Sequence, residues 1–112
     1  MIEKFFSDIP VAITVSDKEG RIIYMNDKSE KVFEKQGGKA LLNTDMFECH
    51  SVISQEKIRN MMSDNSTNAY TIEKSGIKKM IFQTPWYLNN EVNGLVEFSF
   101  EIPTEMSHFI RN

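Results

Sequence analysis

His50 and Cys49 stand side by side, with Phe47 and Val52 close by in the chain. A neutral imidazole is a good ligand for iron when its other ring nitrogen is held by a carboxylate or carbonyl, so His50 is the candidate axial ligand, and the candidate metal-binding residue, of a haem-type cofactor. The competing reading makes it a loop histidine bonded to backbone near a helix entrance. Cys49 also reads two ways. A neighbouring imidazolium or helix N-terminus would lower its pKa and make it a metal ligand or redox-sensitive thiol, whereas without them it is a small buried hydrophobe. His108 lies near the C-terminus and is expected to be solvated. A second set of residues is aromatic. Tyr70, Phe82, Trp86, Phe98 and Phe100 come from the later segments and are expected to face helices around an apolar cavity, with Leu42, Ile58 and Met62 from the helical half completing its lining. The same residues also read as a closed core. No glycine-rich phosphate loop, His-Glu-x-x-His helix or nucleophile with base and orienting acid is present, so no catalytic residue is assigned. Haem-dependent redox chemistry or haem breakdown is the one enzymatic exception, because there the cofactor supplies the reactivity.

The elements that must position these residues begin with Val11–Asn26. Two β-branched runs, Val11–Ser16 and Arg21–Met25, flank Asp17-Lys18-Glu19-Gly20, the composition of a tight antiparallel connection in which Gly20 takes a positive φ and Asp17 bonds its own backbone two residues on. Both faces of this hairpin are partly apolar, which places it in the middle of a sheet, not at its rim, with something packed over it. Residues Ile2–Ser7 form a turn or two of helix, with Ile2, Phe5 and Phe6 on one face, ended by Pro10. Asp27 with Glu30 starts a short helix that Gly37-Gly38 stops, with Val32 and Phe33 inward. Short helical turns fill Lys39–His50. Ser54 caps a longer helix that runs to about Met62, with Ile53 and Ile58 as a hydrophobic staple.

Strands occupy the remainder: Ala69–Lys74, a Ser75-Gly76 turn, Ile77–Leu88 and, after a loop at Asn89–Gly94, Leu95–Ile102. In the last strand Val96, Phe98, Phe100 and Ile102 are expected to face the core and Glu97, Ser99 and Glu101 the solvent. Pro85 marks a sheet edge or bulge, and Thr104–Phe109 starts a tail helix. The 112 residues fit one α+β domain, with residues 1–9 as N-terminal cap, 10–103 as core and 104–112 as tail.

Composition excludes several classes of function. With 40% hydrophobic and 26% charged residues the chain reads as a globular protein, and eight Phe with seven Met make its interior soft enough for an adaptable cavity or a small core. A net charge of −3 with no basic cluster beyond Lys78-Lys79 argues against nucleic acid as a partner. No apolar run is long enough to cross a bilayer, and no secretory leader is evident, so a cytoplasmic location is expected, with which a lone cysteine is compatible.

Two strands, short helices and one longer helix, then three strands give a five-stranded antiparallel sheet with its helices inserted between strands two and three and packed on one face. That order resembles the PAS domain family. The resemblance is carried by Ile9-Pro10-Val11-Ala12-Ile13, by Asp17–Gly20 followed by Ile22, Tyr24 and Asn26, and by Gly94–Phe100 leading into Glu101-Ile102. Leu41-Leu42 followed by Phe47-Glu48-Cys49-His50 is similar to a subgroup with a Cys-His pair before the long helix. The resemblance implies a sensor for signal transduction that binds a small molecule or cofactor between sheet and helices, haem being the leading candidate and His50 its ligand, in a homodimer signalling through a separate effector protein. A flavin is not implied, because the Asn-Cys-Arg-Phe-Leu type sequence is missing. A ligand-free PAS dimerisation or protein-interaction module is the alternative, and a haem-degrading protein the second alternative.

Overall fold

The computed structural model describes residues 2–46 and 52–112, with side chains for all of these except Ile2, Val52, Ile53 and Ser54. After a 3-10 turn at Ile2–Phe5 come strands β1 (Ala12–Asp17) and β2 (Ile22–Met25), helix α1 (Asp27–Val32), and 3-10 turns at Glu34–Gln36 and Gly38–Leu41. Helix α2 (Val52–Asp64) precedes strands β3 (Asn68–Lys74), β4 (Ile77–Leu88) and β5 (Glu91–Ile102). The five strands form one sheet in the order β2-β1-β5-β4-β3, and every neighbouring pair is antiparallel. This is the expected α+β architecture with its helices between the second and third strands.

The first hairpin forms for local reasons. Asp17 Oδ1 accepts from the amides of Glu19 at 3.0 Å and Arg21 at 2.9 Å, and Gly20 takes φ +89° where a side chain would be strained. Of this hairpin, expected in the middle of the sheet, only β1 is interior; β2 is an edge strand, because β1 takes its second neighbour from the C-terminal strand β5. At the far end the Asn89–Gly94 loop contracts to Asn89-Asn90. Both asparagines adopt positive φ, as do Ser75 and Gly76, which is the tight hairpin geometry whose twist matches its strands. β5 therefore starts at Glu91 rather than Leu95. Pro85 lies where β4 has run past the last β3 pair, Asn68 with Gln83, so one flank of the strand there is an edge; a bulge follows between Trp86 and Tyr87.

Helix boundaries differ from expectation in four places, the first being that α1 ends at Val32 and gives way to a 3-10 turn before Gly37-Gly38 is reached. α1 is capped by Asn26, one residue before Asp27, because the Asn26 side chain accepts from the Ser29 amide. α2 begins at Val52, so Ser54 lies inside its first turn and not at its cap. Residues 104–112 form no helix; Phe109 and Ile110 remain exposed, and without a docked apolar face nothing offsets the cost of helix nucleation.

The buried core joins Ile22, Met25 and Leu95 of the sheet to Met46, Ile58 and Met61 of the helical half, with Phe33, Leu41, Leu42 and Met62 packed against it. Val32, expected inward beside Phe33, is exposed instead. With no ring among its described buried members, this core leans on thioethers and branched aliphatics, which fill irregular gaps between a curved sheet and short helices.

Candidate ligand-binding site

Between the sheet and the helices lies a cavity of about 500 Å³. Its roof is apolar. Phe33, Leu41, Met46 and Ile58 descend from the helical half, and Ile22 and Leu95 meet them from the sheet. Its floor is polar, and the pairing registers explain why. Asn68 of β3 pairs with Gln83 of β4, Gln83 with Glu97 of β5, and Glu97 with Thr14 of β1, so four polar side chains form one rung across the sheet. All four line the cavity, together with Ser16 and Tyr70.

Hydrogen bonds run along this rung. Asn68 Nδ2 donates to Gln83 Oε1 at 3.1 Å, and Gln83 Nε2 donates to Glu97 Oε2 at 2.9 Å. At the other end the Thr14 hydroxyl shares a short hydrogen bond with that of Ser29, which α1 buries completely. The Gln83 amide is thereby fixed in orientation, its oxygen toward β3 and its nitrogen toward the carboxylate. Partial burial, and secondarily the negative charge of Glu97, raise the Tyr70 pKa, so the phenol stays a neutral donor and acceptor at physiological pH. Lys57 and Gln36 contribute to the lining from α2 and the first of the two 3-10 turns after α1. Among the described residues, no group of three His, Cys, Asp or Glu side chains is placed to hold a metal ion, and no helix is long and apolar enough to cross a membrane.

The residues singled out from sequence divide into four groups. Ile58 and Tyr70 line the cavity, and Leu42 and Met62 pack against the core beside it. Phe82, Trp86 and Phe98 do not face the helices. Side chains alternate along a strand, so once Gln83 and Glu97 point to the cavity, Phe82 and Phe98 point to the opposite face, where they pair with ring centroids 6.5 Å apart. Trp86 shares that outer face, reaching across Gly94 to donate from its indole nitrogen to the Ser16 carbonyl at 2.8 Å. The expected facing of β5 is thus inverted, with Glu97 and Ser99 inward and Val96, Phe98 and Phe100 outward. Phe47, Cys49 and His50 lie outside the described residues. Asn68, Gln83 and Glu97 were not anticipated from sequence; their signal is the shared register parity of three polar side chains on strands with apolar opposite faces.

No family model and no curated protein matches this sequence. Solved structures do resemble it. The PAS domain of histidine kinase ThkA matches with a TM-score of 0.64 and 16% identity over 82% of this chain and 99% of that one. The Aer2 receptor of Vibrio cholerae, described as a dual PAS-heme oxygen sensor, matches with a TM-score of 0.60 and 12% identity over 83% of this chain and 95% of that one. VqmA of Vibrio cholerae, solved bound to DPO, matches with a TM-score of 0.69 and 14% identity over 91% of this chain and 58% of that one. In strand order, strand pairing and the placement of its helices, this chain has the PAS fold.

Proposed function

We propose that the chain is a sensory PAS domain that binds a small molecule in the cavity between sheet and helices. The observation that carries this reading is the cavity itself, with an apolar roof over a polar floor whose groups are already oriented. Pre-orientation favours binding, because groups that are fixed beforehand lose little freedom when a guest arrives. The likeness to VqmA, solved bound to DPO, supports a ligand-binding role.

Haem is the second reading, supported by the likeness to the PAS-heme receptor. The described part of the lining fits haem poorly. An amide and a carboxylate bonded to one another occupy the floor, where a porphyrin face needs apolar contact, and Phe82, Trp86 and Phe98 are on the wrong side of the sheet to supply it. One set of samples tests both readings. Nitrogen-15 NMR of the protein with a mixture of small aromatic fragments is expected to shift amide signals at Ile58, Gln83 and Leu95. Ile58→Trp, which fills the cavity, is expected to abolish those shifts. Unchanged spectra in the unmodified protein would remove the ligand-binding reading. Haemin added to the same protein is expected to keep its free spectrum; a sharp Soret band lost in His50→Ala would replace the proposed guest with haem.

A second copy of the chain is the proposed partner, docked through the outer face of the sheet, where Phe82 and Phe98 form an aromatic pair flanked by Met80, Val96 and Phe100. Light scattering is expected to give twice the 13.0 kDa chain mass, and Phe98→Glu to give the monomer. A monomeric unmodified protein would refute this. The signal is proposed to pass from the dimer to a separate effector in the cytoplasm, the compartment expected from the sequence.

A further inference from the structure

We infer that the guest is a nitrogenous ring compound that presents N–H groups to Glu97, a proposal that rests on the ligand-binding reading above. The direction of the hydrogen-bond chain carries it. Gln83 donates its nitrogen to Glu97 Oε2, and its oxygen is engaged by Asn68, so this run of side-chain hydrogen bonds ends at the carboxylate. A carboxylate accepts at about four lone-pair positions, and the bond from Gln83 accounts for one of them. Glu97 therefore offers further acceptor positions on the cavity floor. Tyr70, a neutral phenol beside it, complements the same edge of a guest.

Competing charge does not reverse this preference. Lys57 also lines the cavity, but it is exposed on α2, so its ammonium stays solvated on a flexible stem. Glu97 is half-buried and held in place by Gln83, and a fixed, partly desolvated charge selects its partner more strongly than a mobile solvated one. The apolar roof of Phe33, Leu41 and Ile58 accommodates the body of a ring while its polar edge faces down.

Three ligands of one shape separate the possibilities: benzamidine, benzamide and benzoate. Titrations followed by the amide signals of Ile58, Gln83 and Leu95 are expected to rank benzamidine above benzamide and to show no benzoate binding up to about 10 mM, a range suited to fragments of this size. Glu97→Gln keeps the shape of the side chain and is expected to weaken benzamidine about tenfold while changing benzamide less. The ranking in the unmodified protein requires no variant to fold. Benzoate binding as tightly as benzamidine, or all three ligands weakening equally in Glu97→Gln, would overturn donor recognition. If none of the three binds, this proposal falls; shifts caused by the fragment mixture would then show that the cavity reading survives without it.

Discussion

Gly94→Ala is expected to destabilise the protein by roughly 3 to 5 kcal/mol, the sum of overpacking and backbone strain at a single site. Gly94 pairs with Trp86 on one side and with Asp17 on the other, at the point where β1, β5 and β4 lie side by side. A Cβ built there would stand 1.9 Å from the Ser16 carbonyl oxygen and 2.6 Å from Trp86 Nε1, at φ +152°. The indole can swing away, but the carbonyl belongs to an interior strand and has nowhere to move. Thermal melting is expected to fall by roughly 15 °C or more, at the several degrees per kcal/mol typical of a domain this size. Removing the indole separates the two obstacles. Gly94→Ala with Trp86→Phe is expected to recover little, because the closer obstacle is backbone. A melting temperature within about 3 °C of the unmodified protein would show that β1 and β5 are free to separate, contrary to the packing described.

Asn26→Ala carries the second large effect. This side chain is 1% exposed, and its amide makes four bonds. Oδ1 accepts from the amides of Ile13 at 2.9 Å and Ser29 at 3.0 Å, and Nδ2 donates to the carbonyls of Phe6 at 2.8 Å and Val11 at 2.7 Å. One residue thus caps α1, holds the entry to β1 and straps down the N-terminal segment. Truncation leaves buried donors and acceptors unpaired, at an expected cost of about 3 to 5 kcal/mol, read from urea unfolding midpoints. Asn26→Asp is the sharper test. The introduced carboxyl keeps both acceptor bonds but faces two carbonyl oxygens, and burial together with those carbonyls raises its pKa in the folded state. A raised folded pKa means that stability is retained below the unfolded value near 4 and is lost as pH rises through the folded value. The deficit relative to the unmodified protein is therefore expected to be smallest in acid and to grow toward neutrality. A deficit independent of pH would mean that the site is open to water.

How much of this was legible in the sequence depends on which physical signal was local. The Asp17–Gly20 turn was legible, because its chemistry sits within four residues. The place of the helices between the second and third strands followed from the succession of elements. The orientation of the sheet was not legible. Alternation in Leu95–Ile102 tells which side chains share a face, but the choice between faces depends on what covers each, and that is a property of the whole fold. Hydrophobicity favoured Phe98 over Glu97 for the cavity. The structure reverses the choice because Glu97 finds a partner in Gln83, and Gln83 in Asn68, each on the preceding strand of a hairpin, where the register and not the residue type decides which side chains meet. The cap at Asn26 rather than Asp27 is a choice between two adjacent good cap formers, decided by where β2 ends. Ile58 was found because its helix covers the sheet whichever face it packs on; Tyr70 was found by its aromatic type, although it was grouped with Phe82, which the β3–β4 register puts on the opposite face.

The position of β1 between β2 and β5 has a consequence for the order of events during synthesis. The first hairpin is complete as soon as Met25 leaves the ribosome, yet one edge of β1 has no neighbour until the final strand emerges. The nascent chain must keep Ala12–Asp17 from pairing with other strands throughout that interval, and the ring closure that ends it pays its entropic cost late.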